Sequence, residues 1–258
     1  MNQIEYTRMY QAEDRHWWYV GLHGLILATL ERESRRRGRA LDIFEAGCGT
    51  GRLCQLMTAR GHRVEGCDAS QEALRLCRLR GIDTMAWADL NSVELAPRSF
   101  DVITSIDVLY HAGVGDDVAV LRRLLSGLKP GGMLVLNLVA HEFLRSTHDI
   151  AVQTRERYTR ADLCRRLRDA GFDIEFASYR VSFLFPFIAA YRLALRCLHR
   201  KESAAGEVDS DVSLPSEWLN TLLLRLMEQE NRLLRVTRLP IGSSIFVVAR
   251  KPPETMHG

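Results

Sequence analysis

Short apolar runs alternate with helix-period segments along most of this chain, beginning near Ala40. Runs at 40–45, 63–67, 83–87, 100–106 and 133–139 have the length and apolar content of strands. Between them lie segments with helix boundaries. Gly61 and Gly81 stop two of these, Ser70 caps one, and the paired acids Asp116 and Asp117 open another that should run to Pro130. A further helix starts at the Thr159 cap, stops at Gly171 and leads into a sixth strand over 173–181. This alternation predicts an α/β, Rossmann-like parallel sheet with helices on both faces.

The alternation fails after residue 182. Residues 184–201 read as helical beyond Pro186, 201–216 as a polar acidic loop, and 217–235 as a strongly amphipathic helix. The string "GSSIFVVARK" then returns to the sheet as a strand. We therefore expect a core of 40–182 plus 242–251 with about seven strands, the last antiparallel, and a two-helix insertion over 183–241. Residues 1–39 form a helical cap whose main helix ends near Arg37, entered through His16, Trp17, Trp18 and Tyr19. Gly21 and Gly24 are expected to let that helix approach a neighbour closely. Residues 252–258 should be loose.

Composition narrows the class. Of 258 residues, 47% are apolar and 26% charged, which suits a globular chain without long disorder. The formal charge of +3 is too mild for a nucleic-acid role without a concentrated basic face. Arg35, Arg36, Arg37 and Arg39 are the dense basic run, and they fall where cations suit the negative end of a helix dipole. None of the six cysteines sits in a C-x-x-C pair or at zinc-site spacing, so no metal is expected and the compartment reads as reducing. Charged residues interrupt any leader pattern at the N-terminus. The apolar stretch 181–191 is far shorter than the ~20 residues of a membrane span. A cytoplasmic location is expected, with 183–200 as the stretch suited to peripheral membrane contact.

The string "LDIFEAGCGTGRL" places Gly47, Gly49 and Gly51 at the end of the first strand, where the chain must turn sharply and admit a ligand to its backbone. A dinucleotide fingerprint would need Gly or Ala where Arg52 stands, and no phosphate-loop lysine follows. The pattern E-x-G-x-G-x-G, with Asp68 ending the second strand, resembles the class I methyltransferases that use S-adenosylmethionine. The resemblance continues in order through "VEGCDAS", "AWADL", "FDVITSIDVLYH" and "LKPGG", covering roughly residues 40 to 140. It implies S-adenosylmethionine as cofactor and S-adenosylhomocysteine as product. It also implies that Glu45 attracts the methionine amino group and that Gly47, Cys48, Gly49 and Gly51 form the loop. Asp68 and Ala69 would meet the ribose, Asp89 and Leu90 the adenine, and Ile106 the end nearest the methyl. A sulfonium zwitterion without phosphate requires acids and backbone groups, which is what this loop offers.

Methyl transfer is an in-line displacement, so much of it depends on alignment. His111, after the fourth strand, reads as a base or an orienting group, with the neighbouring Tyr110 as a substrate contact. A buried, hydrogen-bonded histidine is the plain alternative. The H-W-W at 16–18 and the H-D and R-Y at 148–149 and 157–158 resemble a subfamily of bacterial and archaeal methyltransferases. That resemblance implies acceptor-side roles for His16, Trp17, Trp18, His148, Asp149, Arg157 and Tyr158, with His148 a second candidate for catalysis. Members often carry basic residues after H-W-W-x-x-G, where this chain has Leu22 and His23. Arg157 and Tyr158 can equally serve only to start the helix at Thr159. One of Trp17 and Trp18 should face the acceptor while the other seals the cap. The apolar helix after Pro186, with Arg192 and Arg196 four apart, either packs on the helix at 217–235 or forms an apolar acceptor pocket or membrane contact.

The expected function is methyl transfer to a small-molecule or lipid-linked acceptor, with no nucleic-acid partner. A non-catalytic protein that binds the same cofactor is the alternative from another class. An NAD(P)-dependent oxidoreductase is the rival on the same fold.

Overall fold

The computed structural model describes residues 3–199 and 214–253, so the acidic loop at 201–213 and the tail at 254–258 lie outside the described residues. The chain begins with α1 (Gln3–Ala12), α2 (Trp17–Arg37), β1 (Asp42–Ala46), α3 (Arg52–Thr58), β2 (Arg63–Asp68) and α4 (Gln71–Leu79). There follow β3 (Met85–Trp87), β4 (Phe100–Ile106), α5 (Asp117–Gly127), β5 (Leu128–Val139), a single 3-10 turn (Glu142–Leu144) and α6 (Thr147–Ala151). The chain then runs through α7 (Arg160–Asp169), β6 (Asp173–Arg180), α8 (Phe185–His199), α9 (Glu217–Leu233) and β7 (Ser244–Arg250).

One seven-stranded sheet carries the structure, in the order β3-β2-β1-β4-β5-β7-β6. β1 pairs in parallel with β2 and β4, while β7 runs antiparallel to both β5 and β6. The expected Rossmann-like sheet with an antiparallel last strand is therefore the observed one. Strand order reverses between β1 and β4, which opens a crevice beyond their carboxyl ends, the usual ligand position in such sheets.

Several boundaries differ from the periodicity reading. β1 begins at Asp42 and β3 at Met85, two residues later than expected in each case. The helix opened by Asp116 stops at Gly127 and not at Pro130, because "LKPGG" already belongs to β5. Phe100 pairs with Leu128 while Val102 pairs with Met133, so a bulge absorbs Pro130 and its glycines.

Helix α1 is an element that the strand-helix alternation missed. Its signal was present in Tyr6, Met9 and Tyr10 at helical spacing, which pack on Ala73 and Leu76 of α4. The expected pairing of the two inserted helices also gives way. α9 lies along α2, where the Asn220 side-chain amide donates to the Arg15 carbonyl (2.8 Å) and its oxygen accepts from the Trp17 N–H (2.9 Å). Gly21 permits this contact, since a Cβ there would lie 2.9 Å from Met227 Cβ, whereas Gly24 faces open space. α8 instead meets the 3-10 turn, and Phe187 and Tyr191 are exposed.

The basic run at the end of α2 works through pairing as well as through the helix dipole. Arg37 and Arg39 converge on the fully buried Asp101, and Arg36, Arg37 and Arg250 on the buried Glu33. Burial alone would raise Asp101, but Arg39, the Asp42 N–H and Lys129 outweigh it and bring the carboxyl down to about 2. These ion pairs fasten the cap to the amino end of the sheet and leave its carboxyl end open. The five described cysteines are all buried and free.

Candidate cofactor and acceptor site

A cavity of about 910 Å³ occupies the crevice beyond β1, β2 and β4, roofed by α1 and the start of α2. It lies at the upper end of the size range of ligand pockets.

The glycine loop forms one wall. Gly47, Gly49 and Gly51 all have positive φ (87°, 53° and 81°), a conformation that only glycine adopts cheaply. At Gly47 a Cβ would lie 2.4 Å from Val108, so the loop has no room for a side chain even if the strain were tolerated. Gly51 caps α3 and packs on Cys77 without lining the cavity, whereas Gly47, Cys48 and Gly49 line it.

Three strand-end acids face the same space. Glu45, on β1, is buried, receives a hydrogen bond from the Thr104 hydroxyl, and is pushed up by burial to about 8. Asp68, at the end of β2, accepts the Gly49 N–H and the Ser70 N–H, both at 2.9 Å, and the Tyr6 hydroxyl at 3.4 Å. Burial raises its pKa, opposed by the Ser70 and Gly49 N–H groups. Asp89 accepts the backbone and side-chain N–H groups of Asn91, whose amide also bridges to the Gly113 carbonyl (2.6 Å). Asn91 thereby ties the loop after β3 to the loop after β4. Ala69, Leu90 and Ile106 line the cavity between these acids.

The roof is fixed to the loop by a buried acid that sequence reasoning did not single out. Glu13 receives the Thr50 hydroxyl and an Arg80 guanidinium N–H (2.7 Å), and Arg80 lies 4.2 Å from the Tyr10 ring centre. His16 caps α2 by accepting the Trp18 N–H, and its ring sits 5.6 Å from that of Trp17. Trp18 and Tyr19 meet edge to face at 5.0 Å. Both tryptophans line the cavity, so the expected division into one facing and one sealing ring is not what the geometry gives. His23 is buried and lowered to about 3 by burial and by Arg52 and Arg180, so it stays neutral at pH 7.

Beyond β4 the cavity floor holds Asp107, a residue not anticipated. It adopts φ of 57°, and Asn137 of β5 donates its amide to both carboxylate oxygens, at 3.0 and 3.2 Å. Burial pushes its carboxyl up to about 7, against the Asn137 hydrogen bond and the charges of Arg180 and Arg157. A signal existed, because an acid directly follows Ile106 just as Asp68 and Asp89 end or follow their strands. Tyr110 and His111 also line the cavity, and His111 Nδ1 accepts the Gly113 N–H at 3.1 Å.

The acceptor-side candidates separate. His148 and Arg157 line the cavity. Asp149 does not: it caps α6 through Ser146 and accepts from Nε and Nη2 of Arg157, both at 2.9 Å. Tyr158 is turned away and buried, its hydroxyl donating to Asp117 (2.7 Å), where Arg155 and Arg166 also converge. Tyr158 thus ties the segment before α7 to α5, while Thr159 caps α7. Arg192 and Tyr191 of α8 reach the cavity rim.

This donor set suits adenosylmethionine. A buried carboxyl raised by burial awaits a cation at Glu45, a side-chain-free cradle follows, and a carboxylate stands ready for hydroxyls at Asp68. A pyrophosphate would meet three carboxylates, with Arg52 already held by Asp14 at 2.8 Å.

Comparison with known proteins agrees. A family model described as a methyltransferase domain matches residues 44–136. A ubiquinone biosynthesis O-methyltransferase of Xanthomonas euvesicatoria is 34% identical over 140 residues, covering 50% of this chain and 58% of that protein. The protein of the same name from Pseudomonas paraeruginosa is 25% identical over 206 residues, covering 68% and 86%. The match therefore spans less than two thirds of the Xanthomonas relative. Among solved structures, an S-adenosylmethionine dependent methyltransferase of Mesorhizobium loti shares the fold with a TM-score of 0.55 at 20% identity, over 82% of this chain and 91% of that one. A SAM-dependent methyltransferase of Thermotoga maritima does so with a TM-score of 0.59 at 16% identity, over 96% and 95%. A methyltransferase-domain model thus covers residues 44–136, and these solved neighbours share the Rossmann-like fold.

Proposed function

We propose that this chain transfers a methyl group from S-adenosylmethionine to an oxygen of a largely apolar small molecule. The observation that carries the reading is Asp107, a carboxylate poised near neutral pH on the cavity floor. A hydroxyl acceptor must lose its proton as it attacks, and a base with a pKa near 7 serves that step best. The relatives named O-methyltransferases support oxygen as the acceptor atom. The aromatic wall of Trp17, Trp18 and Tyr19 supports an apolar, lipid-like acceptor body.

Bound adenosylmethionine supplies an electrophilic methyl on a positively charged sulfur. Every other task falls to side chains. Glu45 would balance the ammonium, Gly47 and Gly49 would leave room for the methionine chain, and Asp68 would accept from the ribose hydroxyls. Asp89 and Leu90 would hold the adenine. Asp107 takes the proton of the acceptor hydroxyl, Asn137 holds its carboxylate in place, and His111, Tyr110 and His148 orient the acceptor. Arg157 stiffens the far rim through Asp149. The phosphate-free, acid-lined cradle argues against a nicotinamide oxidoreductase. A purely cofactor-binding protein would not need a base on its cavity floor.

The test is methyl transfer from labelled S-adenosylmethionine to a panel of alkylated catechols and phenols by the full chain. Asp68→Ala should weaken S-adenosylhomocysteine binding severely, and His111→Ala should spare binding and lower turnover. Cofactor binding without transfer to any hydroxyl compound would favour the non-catalytic alternative, and equal binding losses would refute the division of roles.

A further inference from the structure

Arg180, at the end of β6, has no exposed surface, and none of its three guanidinium nitrogens has a hydrogen-bond partner among the described residues. Burying a fork of charged donors without partners costs several kcal/mol, roughly, so native proteins seldom keep one idle. Both nearby acids are engaged elsewhere. Glu230 of α9, itself fully buried, accepts the backbone N–H groups of Val181, Ser182 and Phe183, and Asp107 accepts from Asn137. They contribute charge and leave the guanidinium donors unmet. Burial lowers the guanidinium to about 10, opposed by Glu230 and Asp107, so it remains a cation at neutral pH.

The position of this cation matters. Its central carbon lies 5.7 Å from the centre of the Trp18 ring, and Trp18, Val181 and Ser243 all line the cavity. The guanidinium thus sits one side chain behind the acceptor wall. Its backbone is clamped by Gly242, where a Cβ would fall 2.2 Å from the Arg180 carbonyl oxygen, and Gly21 leaves room beside Nη2.

Resting on the methyltransferase reading above, we propose that Arg180 is an anion-recognition residue of the acceptor site. Its ligand is a carboxylate borne by an apolar acceptor, admitted when the Trp18 indole turns aside. A planar guanidinium matches a carboxylate through two parallel hydrogen bonds, which a neutral amide of the same shape cannot reproduce. Pairing there would satisfy the stranded donors and place the apolar body against the aromatic wall.

Calorimetry on the full chain saturated with S-adenosylhomocysteine would compare para-hexylbenzoate, para-hexylbenzamide and para-hexylphenylphosphonate. The benzoate should bind about tenfold tighter than the amide. Arg180→Met should erase that preference while leaving S-adenosylhomocysteine affinity unchanged, and Arg180→Lys should keep part of it. Benzoate that binds no better than the amide, or does not bind at all, overturns the proposal, as does a preference that survives in Arg180→Met. Tighter binding of the phosphonate than of the benzoate overturns the carboxylate assignment. Should Arg180→Met fail to fold, the wild-type comparison and Arg180→Lys still decide. Failure of the wild type to bind S-adenosylhomocysteine would strike the methyltransferase reading itself.

Discussion

Asn137 on β5 donates its side-chain amide to both carboxylate oxygens of Asp107, at 3.0 and 3.2 Å, and so fixes a left-handed acid at the end of β4. If Asp107 takes the acceptor proton, Asp107→Asn should lower kcat by about a hundredfold or more and leave cofactor affinity intact. The rise of kcat/KM with pH through about 7 should vanish in the same variant. Stability should move the other way. An aspartate raised in the fold gives its full stabilisation below the ordinary carboxyl range and loses it as pH climbs to about 7, so Asp107→Asn should melt higher than the wild type at pH 8. A gain of about 2 to 4 °C is expected by calorimetric melting.

Glu45 predicts proton release on cofactor binding. Without ligand its carboxyl titrates at about 8, so at pH 7 it holds its proton, and the ammonium of S-adenosylhomocysteine should expel it. Titration calorimetry at pH 7 in buffers of different ionisation enthalpy should show release approaching one proton. Affinity should rise with pH up to about 8 and then level, because only the ionised carboxylate pairs with the ammonium. Glu45→Gln should abolish the release.

The Asp149–Arg157 pair predicts a structural penalty and not a catalytic one. Both side chains are nearly buried, at 1% and 8% exposure, and breaking such a pair strands a charge at a cost of about 3 kcal/mol. Urea melts of Asp149→Ala and Arg157→Ala should each show that loss, and the double variant should lose less than the sum. Burial opposes ionisation of Asp149, but Arg157 prevails and lowers its pKa, so the pair's contribution holds above the ordinary carboxyl range and fades as pH falls below it.

Gly47→Ala should cost cofactor binding more than fold. The new Cβ would press on Val108 at 2.4 Å while φ stays at 87°, so the loop must shift at the point where the ligand passes. Equilibrium dialysis should find S-adenosylhomocysteine affinity reduced by about a hundredfold, with circular dichroism unchanged at 25 °C. Retained affinity would show that the loop does not approach the cofactor closely.

The alternation of strand and helix, the glycine cradle and the acids at Glu45, Asp68 and Asp89 were legible from the chain alone. Each depends on short-range chemistry: side-chain periodicity, the φ that only glycine adopts cheaply, and the position of an acid relative to the strand it ends. Tertiary structure decided what burial and distance decide. It turned Tyr158 onto Asp117, engaged Asp149 with Arg157, and laid α9 along α2. It also set Asp107, half-buried, where desolvation raises its carboxyl, and stranded Arg180 behind Trp18. Those outcomes join residues far apart in sequence, and no local pattern records the loss of water around a charge. The sequence determined where a cofactor could be cradled, and packing determined which acid faces the cavity from the end of β4 and which cation is buried behind Trp18.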